Sequence, residues 1–355
     1  MTTSEPGLVP TAALSPRVER AWYVVARCAD VGRAPVLRAL WGTPIVLWRA
    51  PDGAVHAVLD RCPHRNVPLH DGKVEPEGLR CRYHGWVFGG DGACRHVPAL
   101  DGAAEAPARR VPRWVAREQQ GFVWLWGERD GEPVGSPPSF PEVDDPRYLT
   151  VIRPLRTRGS VHAVIENALD VPHTAFLHGG WFRKDGDRKP IRCVVERFDD
   201  YVQAEYIGES RPKGFVARLL SPSGGEVRHF DRFRMPSMSE VEYAIGTENH
   251  LVLRGLCTPV ADDETEVWAV VSLRSRLPRA LVRLVIAPLA AHIFAQDAEI
   301  LAAQDATLKA FGGGKYVSTE IDLLGTQILR MMTRAARGEP AGEGEPYRRE
   351  ITMWV

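Results

Sequence analysis

The chain has no excess of either charge, no internal repeat and no apolar run that could cross a bilayer. Lys plus Arg and Asp plus Glu both number 45 in 355 residues. A formal net charge of zero leaves no global field to recruit nucleic acid or an anionic membrane, so neither is an expected partner. The most apolar stretch, Ala280 to Ala295, is interrupted by Arg283, Pro288 and His292 and reads as a buried helix, not a span. Met1 to Ser15 has neither a charged start nor an apolar core, which makes a reducing cytoplasm the expected compartment. Cysteine is scarce: of Cys28, Cys62, Cys81, Cys94, Cys193 and Cys257, no two are set in the paired spacing of a zinc ribbon.

Two of those cysteines are instead each paired with a histidine. Cys62-Pro63-His64 and Cys81-Arg82-Tyr83-His84 are separated by sixteen residues. One Cys and one His from each of two loops is the ligand set of a [2Fe-2S] centre in which histidines replace cysteines on one iron. Pro63 and Gly85 supply turn chemistry for wrapping backbone round inorganic sulfide. Two Cys and two His also make a zinc set, but zinc modules pair Cys with Cys and His with His. The order found here favours the cluster.

Turn residues and alternation divide the chain. Short strands are expected at Ala21 to Ala26, Thr43 to Arg49, Ala54 to Asp60 and Phe122 to Trp126, with a hairpin from Trp86 to Val97. A first, all-β domain therefore spans 18 to 130. Gly131 to Pro146 is rich in Pro, Gly and Asp, and a linker over 131 to 148 leads to a second domain over 149 to 340. There, Leu149 to Thr157, Cys193 to Ile207, Glu226 to Met235, Ser239 to Ile245, Leu251 to Val260 and Glu266 to Arg274 read as strands of one antiparallel sheet. Helices are expected over Val161 to Leu177, Arg279 to about Ala310 and Ser318 to Ala336. The fold class is α+β.

A second constellation lies in the first of those helices. His173 and His178 are candidate ligands of a mononuclear iron, since two histidines and a carboxylate leave ferrous iron with open positions for dioxygen. Five residues advance a straight helix by about 500°, an offset of about 140°, so the two rings cannot share a face unless Pro172 breaks the helix. The carboxylate must come from elsewhere. Asp297, in an otherwise apolar helical run, is the candidate, and Glu299 is the alternative. Asp170 either pairs locally or receives the ring N–H of His173, and Asn167 either faces solvent or reaches the iron pocket as a polar neighbour.

Both constellations, in this order, resemble the terminal oxygenase component of Rieske non-haem iron oxygenases, and the likeness covers nearly the whole chain. It implies an N-terminal Rieske β domain followed by a helix-grip domain, in which an antiparallel sheet wraps a long helix. It implies Cys62, His64, Cys81 and His84 on the [2Fe-2S] cluster, and His173, His178 and Asp297 on Fe2+. Asp170 would join His84 of one subunit to His173 of its neighbour, so electrons would cross a subunit interface. The length is similar to that of the homotrimeric group containing vanillate demethylase and pheophorbide a oxygenase relatives. The implied partners are a reductase, with or without a ferredoxin, that passes electrons from NAD(P)H, and the implied reaction inserts oxygen from O2 into a small organic substrate. Monooxygenation is favoured by length, with oxidative demethylation or ring dihydroxylation as alternatives. The rival from another class is an electron-transfer Rieske protein without oxygen chemistry, which would need the first domain alone.

Overall fold

The structure, a computed structural model, describes residues 15–178, 189–209, 227–246, 249–275, 278–339 and 347–354, with backbone alone at 281–283, 285–287 and 289. Glu226, the expected first residue of one strand, falls outside them. Two compact units emerge, one of residues 18–139 with 258–261, the other of the remainder.

The first unit is built of short antiparallel strands: β1 (Trp22–Arg27), β2 (Val36–Leu40), β3 (Thr43–Arg49), β4 (Val55–Leu59), β5 (Lys73–Glu75), β6 (Gly78–Arg80), β7 (Val87–Phe88), β8 (Cys94–His96), β9 (Arg113–Trp114), β10 (Ala116–Gln119) and β11 (Phe122–Trp126). They form three sheets, ordered β1-β11-β10, β2-β3-β4-β9 and β5-β6-β7-β8. β3 explains why a half-alternating pattern was not to be expected from its sequence. Side chains alternate across a strand. Ile45 and Leu47 pack with Tyr23, Leu40 and Leu125 on one side. Val46 and Trp48 pack with Leu69, Leu79 and Phe88 on the other. Both faces are buried, so the run is apolar throughout. Strands β2, β5, β6, β9 and β10 carry no comparable signal, because they are short and partly exposed, and β9 is held by pairing to the distant β4.

The second unit contains α1 (Pro141–Asp144), β12 (Leu149–Arg158), α2 (Val161–Ala168), β13 (Pro190–Arg197), β14 (Tyr201–Ile207), β15 (Val227–Arg234), β16 (Met238–Ile245), β17 (Asn249–Ala261, less its last four residues), β18 (Glu264–Arg274), α3 (Arg279–Phe311), α4 (Gly325–Ala336) and β19 (Tyr347–Trp354). Its eight strands make one antiparallel sheet, β12-β18-β17-β16-β15-β14-β13-β19. α3 runs along β12 and packs on α2. At 33 residues it is about 50 Å long, and Gly312, at φ 76°, ends it. Among the described residues no helix is long and apolar enough to cross a membrane.

Three expectations need correction. The helix over Val161 to Leu177 stops at Ala168, and a separate 3-10 turn covers Pro172–Ala175. The segment Cys193 to Ile207 is two strands joined by a turn in which Phe198 N–H donates to Tyr201 C=O at 2.8 Å. Residues 318–324 are not helical: the Asp322 carboxylate accepts the Thr319 N–H at 2.5 Å and its hydroxyl at 3.1 Å, a local bond that competes with helix. The edge strand β19 was not foreseen at all.

Candidate metal centres

The two cysteine loops are built alike. Cys62 N–H donates to Val67 C=O at 2.9 Å, and Asn66 N–H returns to Cys62 C=O at 2.9 Å. In the other loop Cys81 N–H donates to Trp86 C=O at 2.8 Å, and Gly85 N–H returns to Cys81 C=O at 3.1 Å. The first loop leaves β4 and the second joins β6 to β7, so small sheets anchor both. Asp60 pins the first loop by accepting the His70 backbone N–H at 2.7 Å and lying 2.5 Å from its Nδ1.

Cys62 and Cys81 are each 2% exposed, whereas His64 is half-buried and His84 is exposed. The His64 and His84 rings lie 4.4 Å apart, and His64 stacks flat on Trp86 at 4.7 Å. Burial, reinforced by Cys81, pushes the Cys62 thiol up to about 11. Such a thiol ionises at neutral pH when a metal displaces its proton. His64 Nδ1 is buried without a hydrogen-bond partner. Paired thiols inside and paired imidazoles outside fit a two-iron cluster with its histidine iron toward the surface.

In the second unit, the break after α2 resolves the angular problem posed by a five-residue spacing. Ser160 caps the start of α2 by accepting from Ala163 N–H at 3.2 Å. Beyond Ala168 the chain turns, Pro172 opens the 3-10 turn, and His173 and His178 come round to one point. His173 Nε2 and His178 Nε2 are 3.3 Å apart. Asp297 Oδ1, brought in from α3, is 3.6 Å from the former and 3.1 Å from the latter. Among the described residues these three form the group whose ligand atoms all lie within 4.8 Å of one another. Glu299 is exposed.

The outward atoms are also assigned. His173 Nδ1 faces Asp170 Oδ2 at 3.4 Å, and His178 Nδ1 lies 2.9 Å from Gln296 Oε1. Gln296 Oε1 is placed to accept an Nδ1 proton from His178, whereas His173 Nδ1 is buried without a hydrogen-bond partner and meets Asp170 only at ion-pair distance. Asp297 Oδ1 is buried and receives no hydrogen bond. Burial pulls the His173 imidazole down, but Asp170 and Asp297 outweigh it and hold the ring at about 9. Burial raises the Asp297 carboxyl, yet the two facing histidines keep it below its ordinary value. Two imidazole nitrogens and an unsatisfied carboxylate oxygen turned to one point are a donor set for a divalent ion such as Fe2+, which would displace the proton that His173 carries. Asn167, on α2, lines a cavity of about 730 Å³ with Asp170, Leu301 and Tyr316. Gln296 was not singled out as a site residue by its sequence, where the only signal was its place beside Asp297. Asn66 was missed likewise.

Two separate donor sets, one for a two-iron cluster and one for a single ion, on a β unit and a sheet-and-helix unit, define a two-centre oxidoreductase. A Rieske [2Fe-2S] domain model matches residues 21–112, and a vanillate O-demethylase oxygenase C-terminal domain model matches residues 158–338. The chain belongs to the Rieske oxygenase components. It is 30% identical to the oxygenase component of chloroacetanilide N-alkylformylase from Rhizorhabdus wittichii, over 93% of this chain and 97% of that one. It is 36% identical to the oxygenase component of dicamba O-demethylase from Stenotrophomonas maltophilia, over 70% of this chain and 75% of that one. Its fold is that of dicamba monooxygenase bound to 3,6-dichlorosalicylic acid, with a TM-score of 0.77 at 24% identity, covering 91% of this chain and 98% of that one. The protein is accordingly an enzyme that uses a [2Fe-2S] cluster and a mononuclear non-haem iron to insert oxygen from O2 into a small organic substrate. It works with a reductase or ferredoxin that relays electrons from NAD(P)H. The match to the C-terminal oxygenase domain sets aside the bare electron-transfer reading.

Proposed function

We propose that His173, His178 and Asp297 hold the catalytic iron, that Cys62, His64, Cys81 and His84 hold the cluster, and that the protein is a monooxygenase. The observation that carries this reading is the convergence of two Nε2 atoms and a buried, unsatisfied Asp297 oxygen on one point. In this reading residues 18–130 form the electron-relay domain, 131–148 the linker and 149–340 the oxygenase domain. The working assembly is a homotrimer in the cytoplasm, with Asp170 joining His84 of one copy to His173 of the next and Asn167 lining the pocket beside it.

When bound, the iron would supply an open coordination position for dioxygen, and the cluster would supply single electrons. The chain's own part is positional. The Asp170 charge, 3.4 Å from His173 Nδ1, favours a proton on that nitrogen, while burial of His178 keeps water from the donor set. The net change is R–H + O2 + 2e− + 2H+ → R–OH + H2O. Relatives acting as an O-demethylase and an N-alkylformylase favour a carbon beside oxygen or nitrogen, where hydroxylation ends in loss of the group.

Iron content tests the reading. Anaerobically reconstituted protein is expected to hold three irons per chain, and Asp297→Ala two, with the spectrum of the reduced cluster unchanged. Three irons retained in Asp297→Ala would move the carboxylate role to another residue. An 18O2 experiment with dicamba as probe substrate reads the second point: one labelled oxygen, carried off in formaldehyde trapped as it forms while the phenol stays unlabelled, supports monooxygenation, and two labelled oxygens on the ring would make the enzyme a dioxygenase.

A further inference from the structure

The two candidate iron histidines are backed differently. Behind His173 stands a carboxylate, Asp170 Oδ2 at 3.4 Å from Nδ1. Behind His178 stands an amide, Gln296 Oε1 at 2.9 Å from Nδ1. With His178 Nε2 given to the metal in the iron reading, its ring proton sits on Nδ1, and the Gln296 oxygen is its acceptor. His178 is also the deeper of the two, with its side chain 3% exposed against 20% for His173. Gln296 precedes Asp297 on α3, so one helix supplies both a donor atom and the support of a second donor.

We infer that Gln296 is a positioning residue for the metal centre: it fixes the His178 tautomer and, being neutral, makes His178 the weaker donor of an unequal pair. A carboxylate behind an imidazole draws its Nδ1 proton outward and raises the basicity of Nε2, and an amide does so much less. Asp170 therefore strengthens His173, while Gln296 aims His178 without strengthening it. The inference rests on the iron reading proposed above.

The experiment uses the full-length, cluster-loaded chain with the mononuclear site emptied, titrated anaerobically with Co(II) in competition with a chelating dye. Gln296→Leu removes the acceptor and is expected to weaken Co(II) binding by about 10- to 100-fold. Gln296→Glu supplies a charged acceptor and is expected to bind at least as tightly as the parent, with Co(II) ligand-field bands shifted from the parent's. A merely structural role would weaken both variants alike and leave the bands unmoved. Equal affinity in all three proteins would overturn the inference. If the parent bound no stoichiometric Co(II), the iron reading itself would fall, which is a different result. Should Gln296→Leu fail to fold, as judged by loss of the cluster absorbance, the Gln296→Glu bands decide, and unshifted bands reject the inference.

Discussion

Asn66 and Gly85 occupy the same place in the two cysteine loops. Each follows its cysteine by four residues, donates its N–H to that cysteine's carbonyl, and has positive φ, 61° for Asn66 and 70° for Gly85. Left-handed backbone costs most L residues about 1–2 kcal/mol, and asparagine is among those that accept it. A Cβ on Gly85 would also meet Pro98 Cγ at 3.0 Å. Asn66→Gly is expected to leave cluster occupancy unchanged, and Gly85→Ala to destabilise the protein by about 1–2 kcal/mol with reduced occupancy. Visible absorbance per chain and chemical denaturation read both, and equal behaviour of the two variants would contradict the matched geometry.

Asp170→Asn keeps the size and the acceptor atom behind His173 while removing its charge. Both metal contents should survive, with turnover lower by ten-fold or more. Metal analysis beside coupled oxygen consumption checks this, and full turnover would remove Asp170 from the electron path.

A chain of polar side chains crosses β15, β16 and β17. Tyr148 bonds His250, which bonds Glu242 at 2.9 Å; Arg232 bridges Glu242 and Glu240; and Arg254 joins Glu240 at 2.6 Å to Glu142 at 2.7 Å. Arg254 and Glu240 are both buried. Removing one member of a buried pair strands the other, at a cost of about 3–5 kcal/mol. Arg254→Met should show that loss in urea denaturation, and Arg254→Met with Glu240→Gln should recover part of it. An additive double variant would mean the two do not act as a pair.

His229 is fully buried, with Nδ1 2.7 Å from Glu209 and Nε2 3.0 Å from Asp231. Burial alone lowers its pKa, but the two carboxylates raise it to about 9. The folded protein thus binds a proton that an unfolded imidazole releases near about 6.5. Its contribution, at most on the order of 3 kcal/mol, is complete below that pH and disappears as pH rises through the folded value. The difference in stability between the parent and His229→Gln should shrink between pH 6.5 and 9.5. A difference that held constant would mean the ring is neutral throughout.

How much of this was legible in advance depended on how local each signal is. The cluster loops, His173 and His178 stand out because few residue types bind metal and their spacing is tight, whereas Asp297 is marked only as a carboxylate in an apolar run, with Glu299 beside it. β3, β11 and α3 stand out because apolar runs and period mark them within one window. The strands β5, β6, β9 and β10 are too short to carry a pattern, and the partner of β9, β4, lies far along the chain. The end of α2 was misjudged because Val171 to Leu177 has helical composition, while Pro172 and the Asp170 to His173 contact override it. Gln296 could not have been told from any surface amide until α3 was laid beside the histidines.

The double-sided burial of β3 ties the fate of the cofactor loops to that of the rest of their unit. Odd positions of that strand hold one oily layer and even positions the layer under Cys62 and Cys81. Neither layer can loosen while the ribbon between them stays flat. Amide protons of Ile45 to Trp48 should therefore be the last of the unit to exchange with deuterium, and stripping the cluster should speed them together instead of one face at a time.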